Sequence, residues 1–166
     1  MTAQGDRSAR GGGSRPASHG AAAAGELHEV VGNRLRLSSQ RYTDGRRALV
    51  GALAERPQPA TVHQLLEQLP SASQSSAYRN LAVLERAGVV HRIVTTDDFA
   101  RFELAQDLTG HHHHLVCPTC GDVVDFTLPA DFEDELSAIL ERAAGEHGFH
   151  PEDHRLDVIG ICASCR

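Results

Sequence analysis

The sequence has no lysine and no tryptophan, a single methionine, and only five Phe and two Tyr among its 166 residues. A core built without large rings must be mostly aliphatic, so any one folded unit is expected to be modest in size. No apolar run approaches the ~20 residues that cross a bilayer, and "AAAAG" is too short and too weakly apolar for the hydrophobic region of a signal peptide. A cytoplasmic protein with no membrane partner is therefore expected.

The missing lysine places all positive charge on arginine, and the chain distributes it unevenly. Residues 1–94 carry 12 Arg against 7 acidic residues, whereas residues 95–166 carry 4 Arg against 15. The net charge of −6 thus hides a basic front and an acidic rear. Such asymmetry points to two units with different partners, although two ordinarily solvated surfaces of opposite sign would look the same.

Residues 1–26 are rich in Gly, Ala, Ser and Arg, with little to bury, and read as a disordered tail. From Leu27 to Pro70 the pattern is helical. Thr43 or Asp44 caps a run with Ala48, Leu49, Ala52 and Leu53 at helical spacing, and Thr61 caps a second with Val62, Leu65, Leu66 and Leu69. A third run starts after a serine cap, carries Ala77, Leu81, Leu84 and Ala87, and ends at Gly88. "VVHRIV" and "ARFELA" follow as two β-rich segments. Three short helices and a two-stranded wing define a winged helix-turn-helix over residues 27–96, its second wing strand continuing to about 104. A hinge is expected near Thr95–Ala100. Residues 101–166 read as a small α/β unit of two strands around a Cys-x-x-C, an amphipathic helix ending at Gly148 and a final strand. The fold class is α+β.

Two Cys-x-x-C pairs, Cys117/Cys120 and Cys162/Cys165, stand 41 residues apart. Four thiolates on two knuckles suit one tetrahedral Zn²⁺ held structurally, since the set leaves no open position. A rubredoxin-like iron site would use the same ligands. Disulfides are disfavoured in a reducing compartment, and the βαβ setting of a thioredoxin-like pair is absent.

"HHHHLVC" reads as the start of a strand. Alternation then puts His111 and His113 on one face and His112 and His114 on the other, so the run can serve two metal sites. His91 and Glu103 on the wing strands are the candidate partners of His112 and His114. An acid at the start of the acidic helix and His154 are those of His111 and His113. An exposed strand of histidines that binds metal only adventitiously is the plainer alternative.

From about Leu35 to Arg166 the sequence resembles the ferric uptake regulator (Fur) family. The features that carry this are "RYTDGR" from Arg41, the Ser76–Val90 stretch "SAYRNLAVLERAGVV", "FEL" at 102–104, "HHHHLVCPTCG", "HGF" at 147–149 and "HRLDVIGICASC". The resemblance implies a homodimeric, metal-dependent repressor that binds double-stranded operator DNA and controls iron or zinc homeostasis genes. It implies an N-terminal winged helix and a C-terminal α/β dimerisation domain, with structural zinc on the four cysteines. Fe²⁺ or Zn²⁺ would be the co-repressor at His91, Glu103, His112 and His114, with a second site at His111, His113, Glu133 and His154. Tyr78 and Arg79 would meet bases, with Ser76 and Arg41 nearer the backbone.

The chain departs from the family pattern in three places. Pro59 and Ala60 stand where the family often has a histidine ligand, and His91 is expected to substitute. Two extra residues separate Glu103 from the histidine run. About one extra helical turn precedes His147, so Asp131, Asp134 or Glu135 competes with Glu133, and Asp125 is an outlying candidate. Three other readings remain: a peroxide-sensing member of the family, a zinc-stapled protein-interaction module, and a metalloenzyme with Glu103 as base. No catalytic residue or small-molecule substrate is expected from the first two. A site filled by four protein ligands speaks against the third.

Overall fold

A computed structural model describes residues 20–95 and 99–166. The segment expected to be a disordered tail lies outside the described residues up to position 19. Its last part does not: α1 spans Gly20–Leu37. Ala has the highest intrinsic helix propensity, which suits the Ala21–Ala24 run to the start of α1.

Helix α2 (Asp44–Ala54) starts after Thr43, which is extended at the N-cap position and makes no side-chain cap hydrogen bond. A two-residue strand β1 (Ala60–Thr61), which the sequence pattern did not reveal, precedes α3 (Val62–Gln68). Thr61 and Gln64 form a reciprocal capping box at its start, satisfying two amides that the first turn leaves orphaned. Helix α4 (Gln74–Arg86) is capped by Ser73, whose Oγ accepts from the Ser76 amide. Gly88, at φ +67°, ends it in a left-handed turn that an L side chain would strain.

Strands β2 (Val90–Ile93) and β3 (Arg101–Leu104) complete a three-stranded antiparallel sheet in the order β1-β3-β2. One core serves the whole unit. Val31 and Leu35 of α1, Leu49 and Val50 of α2, Leu65 of α3, and Leu81 and Leu84 of α4 are at most 2 % exposed and pack with Phe102 and Leu104. Each aliphatic side chain so buried contributes about 1.5–3 kcal/mol. This is a winged helix with an additional N-terminal helix.

The hinge expected near Thr95–Ala100 includes residues 96–98, which lie outside the described residues. Phe102 and Leu104 belong to the first core, so β3 remains part of the wing. The crossing to the second unit is made by the one-turn helix α5 (Gln106–Thr109) and Gly110 at φ +102°.

The second unit has strands β4 (His113–Val116), β5 (Val123–Phe126) and β6 (Asp157–Ile159) in the order β5-β4-β6, with β4–β6 parallel. Helix α6 (Ala130–Glu146) joins β5 to the loop before β6, and a 3-10 turn Ala163–Cys165 follows. Its interior is thin. Among the described residues, its buried cluster is Val116 and Val123, packed with Ile93 of the wing, and no residue of α6 is buried.

Candidate metal centres and DNA-facing helix

Pairing register explains how one short strand feeds two sites. His114 of β4 stands opposite Asp125 of β5 and Asp157 of β6, a row of three polar side chains across the sheet. Side chains two apart on a strand share a face, so Val116 and Val123 lie on that same face, against Ile93 of the wing. The face of His114 therefore looks at the winged helix, and His113, paired with Phe126, looks the other way.

On the first face, Glu103 of the wing reaches the second unit. Its Oε2 lies 3.2 Å from His112 Nε2 and 3.1 Å from His114 Nε2, and Asp125 carboxylate oxygens stand 3.9 Å from each imidazole. Donor atoms of Glu103, His112, His114 and Asp125 all fall within 4.8 Å of one another. Ligands bound at ~2.0–2.2 Å to one ion are separated by about 3–3.5 Å, so the set fits a cation. Glu103 Oε1 and Asp125 Oδ1 are buried with no hydrogen-bond partner among the described residues. An orphaned carboxylate oxygen is costly unless something cationic meets it.

The fourth donor here is Asp125, where the sequence pointed to His91. His91 is paired with Glu103 in the wing ladder, but its imidazole is not within the cluster. It lines a separate cleft with Asp107, His111 and Asp153. Asp125 could have been found by counting out from the cysteine knuckle, because pairing Val116 with Val123 puts His114 opposite Asp125. Asp157 escaped the sequence reading entirely. Its Oδ1 is 3.0 Å from His114 Nδ1, so a carboxylate holds the ring whose other nitrogen faces the cluster.

The electrostatics follow from this crowding. Burial would raise the Glu103 carboxyl, but hydrogen bonds and charge from His114 and then His112 hold it below the usual range. Burial would lower His114; Glu103, Asp157 and Asp125 outweigh it and raise it. Asp125 is pushed up by burial, with Glu103 adding to the shift.

On the opposite face, Glu133 of α6 collects three imidazoles. Its carboxylate oxygens lie 2.9 Å from His111 Nε2, 3.0 Å from His113 Nε2 and 2.9 Å from His154 Nε2. His113 is 1 % exposed. The Glu133 carboxyl is held below its usual value, first by the His113 hydrogen bond. His154 Nε2 and Glu133 Oε1 are close yet misaligned for a hydrogen bond, as two ligands of one ion would be. Asp131, Asp134 and Glu135 are not in this group.

The four cysteines also converge, with Cys120 Sγ 3.7 Å from Cys162 Sγ. Tetrahedral bonds of about 2.3 Å give sulfur separations of about 3.8 Å. The Cys162 amide donates to Cys117 Sγ, and amides of Cys162 and Cys120 bring the Cys117 thiol down to about 6. Cys165, crowded first by Cys120 and then by Cys162, is pushed up to about 12. Four thiolates can coexist there only around a cation.

Helix α4 turns Ala77, Leu81 and Leu84 inward. Tyr78, 45 % exposed, and Arg79 face outward. Ser76 sits one turn below Asn80, whose amide donates weakly to its Oγ at 3.5 Å. Arg41 is exposed just ahead of α2, and its carbonyl accepts from Arg46. Three of these residues are on α4 and Arg41 is on the loop ahead of α2, at the surface of the winged helix.

A winged helix coupled through a carboxylate to a histidine-rich α/β unit defines a class of metal-responsive, DNA-binding regulators. The chain belongs to the ferric uptake regulator family, whose model matches residues 38–159. The peroxide operon regulator of Bacillus subtilis (strain 168) is 32 % identical over 148 residues, covering 86 % of this chain and 95 % of that protein. A solved structure described as a zinc-bound manganese uptake regulator is 31 % identical, with TM-score 0.56 over 82 % of this chain and 98 % of its own. The Helicobacter pylori ferric uptake regulator has TM-score 0.68, covering 86 % of this chain and 93 % of its own at 19 % identity, and so supports the fold.

Proposed function

We propose that the protein is a homodimeric, metal-dependent transcriptional repressor whose co-repressor ion is held by Glu103, His112, His114 and Asp125. One observation carries this reading: Glu103 comes from the wing sheet and the other three from the second unit. With an ion held there, these residues would tie the two parts in one mutual orientation, to the extent of the ion's differential affinity for the closed form. Fe²⁺ and Zn²⁺ are the candidate ions, and both accept nitrogen and oxygen donors. His111, His113, Glu133 and His154 would hold a second ion tying α6 to β4, and the cysteines a structural Zn²⁺.

Dimerisation through the second unit is supported by an uncovered apolar row. Leu115, Val124 and Val158 are register partners on the β-sheet, 44 %, 37 % and 43 % exposed. With Phe132 and Ile139 of α6 also exposed, the unit has more apolar surface to cover than its own chain covers. A two-fold dimer would offer two copies of α4 to successive major grooves, spaced by about one helical turn. Arg79 suits a guanine edge, Tyr78 a thymine methyl, and Arg41 and Ser76 the backbone.

Anaerobic fluorescence anisotropy on the protein's own promoter DNA, with free Zn²⁺ and Fe²⁺ buffered separately, tests the reading. Metal-switched binding by either ion is expected and names the co-repressor. Binding that no ion alters would refute it and favour an interaction module. A second reading, peroxide sensing, draws support from the peroxide regulators among the relatives. It requires that peroxide add an oxygen atom to His112 or His114 in the Fe²⁺-loaded protein, which peptide mass spectrometry reads directly.

A further inference from the structure

Glu103, His112 and Asp125 do more than face one another. They also form part of the wall of a cleft of about 320 Å³ between the turn after α2 and the sheet of the second unit. Arg56 and Pro59 of that turn line it as well. We propose that this cleft binds a small dicarboxylate, one end supplying oxygen to the ion held at Glu103, His112, His114 and Asp125, the other pairing with Arg56. The inference rests on the hinge-ion reading above.

Three observations lead here. First, among the described residues the donors that converge on one point here are Glu103, His112, His114 and Asp125. Pro59, buried on the wall of the cleft, has a ring that offers neither a lone pair nor an N–H. An ion that prefers five or six ligands, as Fe²⁺ and Mn²⁺ do with nitrogen and oxygen donors, would therefore draw on something from outside. Second, the Arg56 guanidinium has no ion pair or side-chain hydrogen bond among the described residues. With a divalent ion on the Glu103 and Asp125 carboxylates, Arg56 would be the charge of the cleft left to pair with an anion. Guanidinium matches carboxylate geometry bidentately. Third, the hydroxyl-bearing Thr109 and Thr127 line the same cleft alongside apolar Leu53 and Phe102. A few oriented polar groups on an apolar lining are the usual make-up of a small-molecule site.

The test uses the full-length protein with zinc on its cysteines and Co²⁺ at the hinge, followed by visible absorption during titration with malonate. Wild type is expected to show a saturable band shift while retaining cobalt on dialysis, with acetate a weaker ligand. Arg56→Ala should weaken the malonate response about tenfold, the loss of one charge-assisted pairing. Pro59→His should offer an imidazole in place of the anion and blunt the response. A spectrum indifferent to malonate, cobalt stripped in proportion to malonate, or Arg56→Ala behaving as wild type would each overturn the inference. If Glu103→Gln leaves cobalt binding untouched, the hinge-ion reading itself falls, which separates the two failures.

Discussion

At the scale of single residues, Asp157 is the side chain whose role is easiest to isolate. It is half-exposed on β6 and touches the hinge cluster only through His114 Nδ1. Asp157→Asn should lower hinge-metal affinity about 10–100-fold, as loss of a carboxylate that orients a ligating histidine does, with Asp157→Glu restoring part of it. Competition with a chelating dye measures this, and zinc on the cysteines should be unaffected. Protons and metal compete for the same atoms. His114, raised above 6.5, stabilises the metal-free closure fully below that value and ceases to do so as pH rises through its folded value. Glu103, lowered from 4.5, contributes above that value and stops as pH falls through its folded value. The metal-free protein should thus hold its two units together best between about pH 4.5 and 6.5, with metal affinity rising on the alkaline side. Small-angle scattering and metal titration across pH would show both trends.

Helices and strands were legible in the sequence to different degrees, and the reason is periodicity. The cap-and-stop signals of α2, α3 and α4 are local, so Thr43, Thr61, Ser73 and Gly88 mark their limits. Strand β1 is two residues long and exists only because Ala60 and Thr61 pair with Phe102 and Arg101, which no local pattern shows. The alternation of the histidine run was readable, because strand parity is a local property. The place of Asp125 opposite His114 could be counted from the knuckle, but the absence of His91 from the cluster could not, because it depends on how two sheets meet. Gly88 illustrates an element whose end is tied to its neighbour: its carbonyl accepts from Arg34, which also pairs with Asp107 of α5. Gly88→Ala should cost about 1–2 kcal/mol from the left-handed backbone, read as a lowered midpoint in urea. On the outward face of α4, Arg79→Ala should cost about 1–3 kcal/mol in operator affinity and relax sequence preference. Arg41→Ala should instead weaken all DNA sequences alike and reduce the salt dependence by about one unit.

At the scale of the whole molecule the two units differ in how they are held together. The winged helix owns a core of its own, but the second unit has a buried cluster of two side chains plus Ile93 from its neighbour. Small units of this kind draw their stability from metals or from a partner chain. Cys162→Ser should therefore release zinc from the cysteines and shift the proposed dimer toward monomer while leaving α1–α4 folded. Metal analysis, sedimentation and circular dichroism would separate the three effects, and an intact dimer without zinc would contradict the staple. No helix among the described residues is long and apolar enough to cross a membrane.

The row of four identical imidazoles has a consequence for folding. Identical side chains carry no positional information, so a β4 displaced by one residue would still present histidines to both of its surroundings. What distinguishes the correct alignment is the short apolar tail that follows. Val116 must meet Val123 inside, and Cys117 must reach the other sulfurs, while Leu115 faces out. The histidines supply the chemistry, and three residues after them act as the ruler. Inserting one residue between His114 and Leu115 would keep the cysteines in register and histidines at three of the four places, and set the inserted residue opposite Asp125 and Asp157.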